Sequence, residues 1–146
     1  GCVFNPATDE FFEATLCGGA RRNGVTISVS DRDGFDGARL LASARMIKRT
    51  IEAMNVKPES YDAVNSVAYR MALVACGDYD ATLSLGPKSD WDLAAADLIV
   101  EEAGGLATDR AGTGYRYNGA SARQTSLIAA NPGLHAALVD VVTRID

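Results

Sequence analysis

The chain has 146 residues, of which 47% are hydrophobic and 23% charged, and a formal net charge of −5. That is the size and balance of one globular domain, not of a disordered segment. The negative charge weighs against broad nucleic-acid binding, which relies on basic patches. No apolar run approaches the roughly 20 residues of a membrane span.

Cys2, Cys17 and Cys76 are far apart and odd in number, and no CxxC pattern occurs. They read as reduced thiols of a cytoplasmic protein. With a single His, a Cys/His zinc site is not expected. No secretory leader is visible and there is no initiator Met. Gly1-Cys2-Val3-Phe4 already reads as a strand. The expectation is a piece of a longer chain, although Gly1 could equally be the remnant of a tag.

Cys2–Phe4 and Glu10–Ala14 are short strand-like runs around Asn5-Pro6-Ala7-Thr8-Asp9, which has turn chemistry, so the chain opens with a β-hairpin. Gly18 to Gly24 reads as a tight connection, with Asn23-Gly24 suited to a primed turn. Arg21-Arg22 within it reads as a solvated loop rather than an anion site. Val25–Ser30 alternates and predicts a further strand.

Asp31–Gly37 is a polar loop. Leu40-Leu41-Ala42-Ser43 predicts a short buried strand. Met46 to Met54 has helical spacing of apolar residues, and Pro58 ends that region. Tyr61–Ser66 leads into a second helix with Val67, Met71, Val74 and Ala75 on one face and Gly77 as its stop. Ala81–Leu85 predicts a strand, and Gly86-Pro87-Lys88-Ser89 a loop. Leu106–Thr108 and Thr125–Ala130 predict the last strands. A Gly-rich turn region lies between them, with Tyr115 and Tyr117 on a possible short strand. Asn131-Pro132 opens the final helix, with Leu134, Leu138, Val141 and Val142 inward. His135 reads as a surface residue.

The most informative stretch runs from Asp90 to Gly105. Asp90 and Asp92 can cap a helix, Leu93–Ala103 are good helix formers, and Gly104-Gly105 can adopt the positive φ that stops one. Its apolar residues lie nearly all round, so it is expected to pack on more than one side. Two jobs suit Trp91-Asp92. One is capping, with Trp91 in the core. The other is metal ligation, with the helix N-terminus facing a phosphate.

Trp91-Asp92-x-Ala94-Ala95-Ala96, the apolar residues at 98–100 and Gly104-Gly105 together resemble the C-terminal signature of the inositol monophosphatase family. The runs Asn5–Thr15, Gly18–Gly24 and Asn65–Gly77 are similar to other parts of that family, in the same order. The resemblance implies a layered α/β sandwich of the sugar-phosphatase type. Residues 1–37 would be antiparallel strands of the central sheet of the N-terminal part, and residues 38–146 the C-terminal α/β domain. It also implies a magnesium-dependent, lithium-sensitive phosphatase of small phosphate esters, a homodimer, and a metal-ligand role for Asp92.

Strands alternating with helices after Leu40 gather strand C-termini and helix N-termini at one edge, where ligands usually sit. Ser43, the turn Asn65-Ser66-Val67, the loop Ser84–Lys88 and Asp92 all fall there. Ser66 could instead simply cap its helix. Ser84 stands where inositol-selective members of the family often carry Glu, after one extra residue is allowed in the following loop. Lys88 could meet a second phosphate, although a solvated lysine is the plainer reading.

Magnesium needs several converging hard oxygen ligands. Asp92 is one, and Asp90 and Asp97 are weaker candidates. The family's first metal motif, of the Asp-Pro-Ile/Leu-Asp-Gly-Thr type, has no match, because Asp33-Gly34 and Asp36-Gly37 lack the preceding Asp-Pro. The isolated chain is therefore expected to be poorly active. Two alternatives stay open. One is a nucleotide or sugar bisphosphatase of the same superfamily. The other is a non-catalytic α/β module that binds a phosphorylated ligand or a partner.

Overall fold

The computed structural model describes residues 1–143 apart from 44, 45, 47, 50 and 53–57, and residues 144–146 are likewise not described. Of the helix expected over Met46 to Met54, Met46, Lys48, Arg49, Ile51 and Glu52 are helical, and residues 47, 50, 53 and 54 lie outside the described residues.

Turn residues organise the first sheet. Strands β1 (Cys2–Asn5) and β2 (Glu10–Ala14) pair antiparallel, with Val3 opposite Phe12, as the turn chemistry between them implies. Strand β3 (Ala20–Arg22) pairs with β2, and β4 (Val25–Thr26) with β3. Asn23 and Gly24, at φ 50° and 80°, make the primed turn.

Two expectations are corrected here. Arg21 and Arg22 belong to a strand, not a solvated loop. Arg22 ion-pairs with Glu10 and, at 2.7 Å, with Asp78, and its guanidinium lies 5.6 Å from the centre of the Phe12 ring. The strand expected to Ser30 stops at Thr26. Beyond it the backbone bonds elsewhere, with Val29 N donating to Ala103 O at 3.0 Å.

The rest of the chain supplies β5 (Arg39–Leu41), β6 (Ser60–Asp62), α1 (Val67–Ala75), β7 (Ala81–Ser84), β8 (Lys88–Ser89), α2 (Asp90–Glu102), β9 (Leu106–Thr108), β10 (Arg123–Gln124), β11 (Leu127–Ala130) and α3 (Pro132–Val142). Five of the strands form one mixed sheet in the order β6-β5-β7-β11-β9. Strands β6 and β7 run parallel to β5, whereas β11 is antiparallel to β7 and to β9. Strand β6 is a surprise, because Tyr61-Asp62 reads as a lead-in to α1. All three of its residues are exposed, so no apolar alternation announces it. Tyr115 and Tyr117 lie in irregular chain, not on a strand.

Burial on both faces of the central strands explains the layering. Leu127 and Ala129 of β11 face α1 and α2, while Ile128 and Ala130 face α3. Helices α1 and α2 pack on each other through Met71, Ala72 and Ala75 against Leu93, Ala96, Ile99 and Val100. Phe12 and Ala14 cover them on one side, and Leu41 and Leu127 on the other. Leu134, Leu138 and Val142 of α3 close the outer face over Leu40 and Leu83. The order of layers is sheet, helix pair, sheet, helix, the layered α/β sandwich expected. Each such fully buried leucine contributes about 2 kcal/mol.

Gly104 ends α2 at φ 84°. Gly105 is needed for space, because a Cβ there would come within 2.8 Å of side-chain carbons of Val100 and Val29. His135 is not a surface residue. It is buried on α3 with Nε2 2.8 Å from Thr108 Oγ1, and burial lowers its pKa from the ordinary histidine value.

Candidate active site

The site is built where β7 and two helix N-termini meet. Strand β7 ends at Ser84, opposite Leu127 of β11. The chain turns through Gly86-Pro87, and β8 pairs antiparallel with β10, Lys88 opposite Gln124 and Ser89 opposite Arg123. This short ladder replaces the simple loop expected there. It fixes Ser89 as the extended N-cap residue of α2, and Asp90 N donates to Ala122 O at 3.0 Å. Nearby, Ser66 caps α1, its Oγ accepting from Tyr69 N at 3.3 Å.

A cavity of about 380 Å³ opens between these elements. Ser43, Asn65, Val67, Ser84 and Lys88 line it, together with Arg70. Five residues singled out from widely separated stretches are thus neighbours. One of the five has its hydroxyl engaged elsewhere, Ser43 Oγ accepting from Met46 N at 3.3 Å. Ser66 is not among the lining residues, and its Oγ is held by its cap.

Asp92 does not line the cavity. It stands behind Lys88 and Ser89, with Oδ2 accepting from Ser89 N at 3.2 Å. This is the reciprocal half of a capping box, and it places the carboxylate at the positive end of α2. Capping is therefore present, but its companion reading for Trp91 fails. Trp91 is 77% exposed and is no part of the core.

Asp90 turns away. Its Oδ1 accepts from Gln124 Nε2 at 2.7 Å and its Oδ2 from Asn118 N at 3.1 Å. Asp97 is farther still, accepting from Tyr117 OH at 2.8 Å. Burial raises the Asp97 carboxyl above its ordinary value despite that bond, and Glu101 adds to the rise. Neither joins Asp92. Among the described residues no group of three or more His, Cys, Asp or Glu side chains could hold a metal ion.

The cavity is cationic. Lys88 Nζ donates to the carbonyls of Gly86 at 2.9 Å and Pro87 at 3.2 Å. Burial lowers its pKa, the Arg70 charge lowers it further, and Asp92 partly offsets both. Arg70 escaped the sequence reading. The available signal was an arginine one turn inside α1, just before the apolar run Met71–Ala75.

A sequence model of the inositol monophosphatase family matches residues 1–145. The chain belongs to the inositol monophosphatase family. It is 33% identical over 141 residues to the Vibrio cholerae protein named Nus factor SuhB, covering 90% of this chain and 50% of that one. It is 30% identical over 155 residues to an inositol monophosphatase of Mesembryanthemum crystallinum, covering all of this chain and 56% of that one. The solved structure of an IMPase from Thermotoga maritima superposes with a TM-score of 0.84 at 29% identity, covering 99% of this chain and 56% of that one. The chain thus spans about half the length of the relatives it matches. An inositol monophosphatase family fold was expected from the Trp91-Asp92 signature, and that expectation is borne out.

Proposed function

We propose that the protein is a magnesium-dependent phosphomonoesterase of inositol monophosphate or a related small phosphate ester. The observation that carries this reading is the cavity, where Ser43, Asn65, Val67, Ser84 and Lys88 converge beside the Asp92 end of α2. A cationic, polar cavity flanked by helix N-termini suits an anionic ester. Ser84 and Asn65 offer hydrogen bonds to substrate hydroxyls, and Lys88 neutralises charge.

Asp92 fits the role of one magnesium ligand, a hard oxygen with Oδ1 outside its capping bond. One carboxylate does not complete the octahedral set that magnesium requires. The reading therefore needs further ligands from outside these residues, and the 146-residue chain assayed alone should turn over poorly. Such a cation would neutralise the phosphoryl oxygens and acidify a water.

A cytoplasmic setting is inferred from the three free cysteines. No helix among the described residues is long and apolar enough to cross a membrane. A homodimer is inferred from the family resemblance and from exposed strand edges such as Val25 of β4, which is 69% exposed.

The test is phosphate release by the full-length protein from inositol 1-phosphate and from adenosine 3′,5′-bisphosphate, with magnesium, with and without lithium. Lithium-sensitive release is expected, and the preferred substrate separates the monophosphatase from a bisphosphatase. Tight binding of either compound without release would favour the non-catalytic module instead.

A further inference from the structure

The dipeptide Asn-Gly occurs twice, at Asn23-Gly24 and at Asn118-Gly119. In this pair the glycine nitrogen is well placed to attack the asparagine side-chain amide, because glycine has no Cβ to obstruct the approach and leaves the backbone free to turn. Both asparagines are exposed, and both are left-handed, at φ 50° and 58°. Solvent access and starting conformation therefore do not separate them. Hydrogen bonds do.

Asn23 is held at three atoms. Its N donates to Phe11 O at 2.8 Å, its Oδ1 accepts from Phe11 N at 2.8 Å, and its Nδ2 donates to Asp9 O at 3.0 Å. The turn it occupies joins the paired strands β3 and β4. Asn118 lies in irregular chain. Its N donates to Asp90 Oδ2 at 3.1 Å, and its side chain has no hydrogen bond among the described residues. Left-handed backbone turns the next residue's nitrogen away from the side chain, so each asparagine must leave that conformation before it can react. Asn23 gives up three bonds to do so, and Asn118 at most one.

We infer that Asn118-Gly119 is a site of spontaneous deamidation in the folded protein, and that the fold protects Asn23-Gly24 from the same reaction. Gly119 N gives its proton to solvent base and bonds to Asn118 Cγ, closing a cyclic imide. The bond from Cγ to Nδ2 breaks, and Nδ2 takes up a proton and leaves as ammonia. Water then opens the ring. Cleavage between Gly119 N and Cγ gives aspartate. Cleavage between Gly119 N and the main-chain carbonyl carbon gives isoaspartate, with the chain rerouted through Cγ. The sum is amide plus water to carboxylate plus ammonium, with no change of oxidation state.

The product puts a negative charge into the groove that Asn118 lines with Trp91 and the buried Asp90. The iso form also lengthens the main chain just after the amide that donates to Asp90. The inference is independent of the phosphatase reading.

The test incubates the folded full-length protein in mildly alkaline buffer and follows its tryptic peptides by mass spectrometry against unincubated samples. Cleavage after Arg22, Arg32, Arg116 and Arg123 places the two asparagines in separate peptides, residues 23–32 and 117–123. Conversion at Asn118 is expected to be at least about tenfold faster than at Asn23, the weight of the extra hydrogen bonds. In urea-unfolded protein the two rates should converge, because both pairs then sit in flexible chain. A Cβ at residue 119 would meet nothing nearer than Ser121 O at 3.8 Å, so Gly119→Ala keeps the fold while obstructing the attack. It should slow conversion at Asn118 at least about tenfold. Equal rates at the two asparagines in the folded protein overturn the protection by the fold. An unconverted Asn118 in folded protein, under conditions where unfolded protein converts, overturns the site, as does conversion in Gly119→Ala at the native rate.

Discussion

Asp90 and Asp92 stand two residues apart in the first turn of α2 and serve different surroundings. Asp90 accepts hydrogen bonds from Gln124 and from the backbone of Asn118, on the side of the exposed Trp91. Asp92 reaches back to Ser89 N and acts on Lys88 at the cavity. Residues at i and i+2 point about 200° apart around a helix, so one turn serves two sites. One carboxylate braces the loop after Tyr117, and the other caps α2 beside the cavity.

The Asp80–Arg39 pair should govern acid stability. Asp80 is 1% exposed; it accepts from Arg39 N at 2.7 Å and from Arg39 Nη2 at 3.1 Å, and Arg32 lies 3.3 Å away. Burial alone would raise its pKa, but the bonds from Arg39 hold it below the ordinary carboxylate value. The folded state therefore binds its proton less readily than the unfolded chain. Its contribution is complete above an unfolded value of about 3.9 and is lost as pH falls through the lower folded value. Asp80→Ala should cost about 3 kcal/mol near pH 7, measured by urea denaturation, and the cost should shrink below about pH 4.

His135 acts at higher pH. Burial depresses its pKa, so between the folded value and an unfolded value of about 6.5 the unfolded chain binds more protons. Stability should fall as pH drops below about 6.5. His135→Gln should flatten that slope in thermal melts between pH 5.5 and 7.5. An unchanged slope would mean that burial does not hold the ring neutral.

Two surface-level substitutions separate capping from packing. Ser66→Ala removes the acceptor for Tyr69 N and should destabilise the fold by about 1 kcal/mol in denaturant titration. Trp91→Ala should change the stability of this chain by no more than about 0.5 kcal/mol, because the indole is mostly in solvent.

Helix α2 was legible because its start, body and stop agree. Asp90 and Asp92 suit the first turn, the run to Ala103 favours helix, and Gly104 takes the positive φ. The cavity was legible because Ser84 ends β7 while Ser43 and Asn65 lie two residues beyond β5 and before α1, and α/β connectivity brings such ends together. What the sequence hid depends on partners distant along the chain. Strand β6 is polar and exposed, and only its pairing with β5 makes it a strand. His135 is buried because Thr108 meets it, and Arg22 belongs to a sheet because Glu10 and Asp78 hold it. Arg70 is informative through its buried Nε, which has no hydrogen-bond partner among the described residues, a property no local pattern carries.

The most direct measurement compares Asp92→Asn with Asp90→Asn in the full-length protein, by magnesium-dependent phosphate release from the preferred substrate. Loss of a metal ligand should lower kcat/KM at least about 100-fold in Asp92→Asn, beyond what outer-shell partners usually cost. Asp90→Asn should stay within a few-fold of the native rate, since an amide oxygen can still accept from Gln124 or Asn118. Native-like turnover by Asp92→Asn would contradict the placing of the reaction at this end of α2.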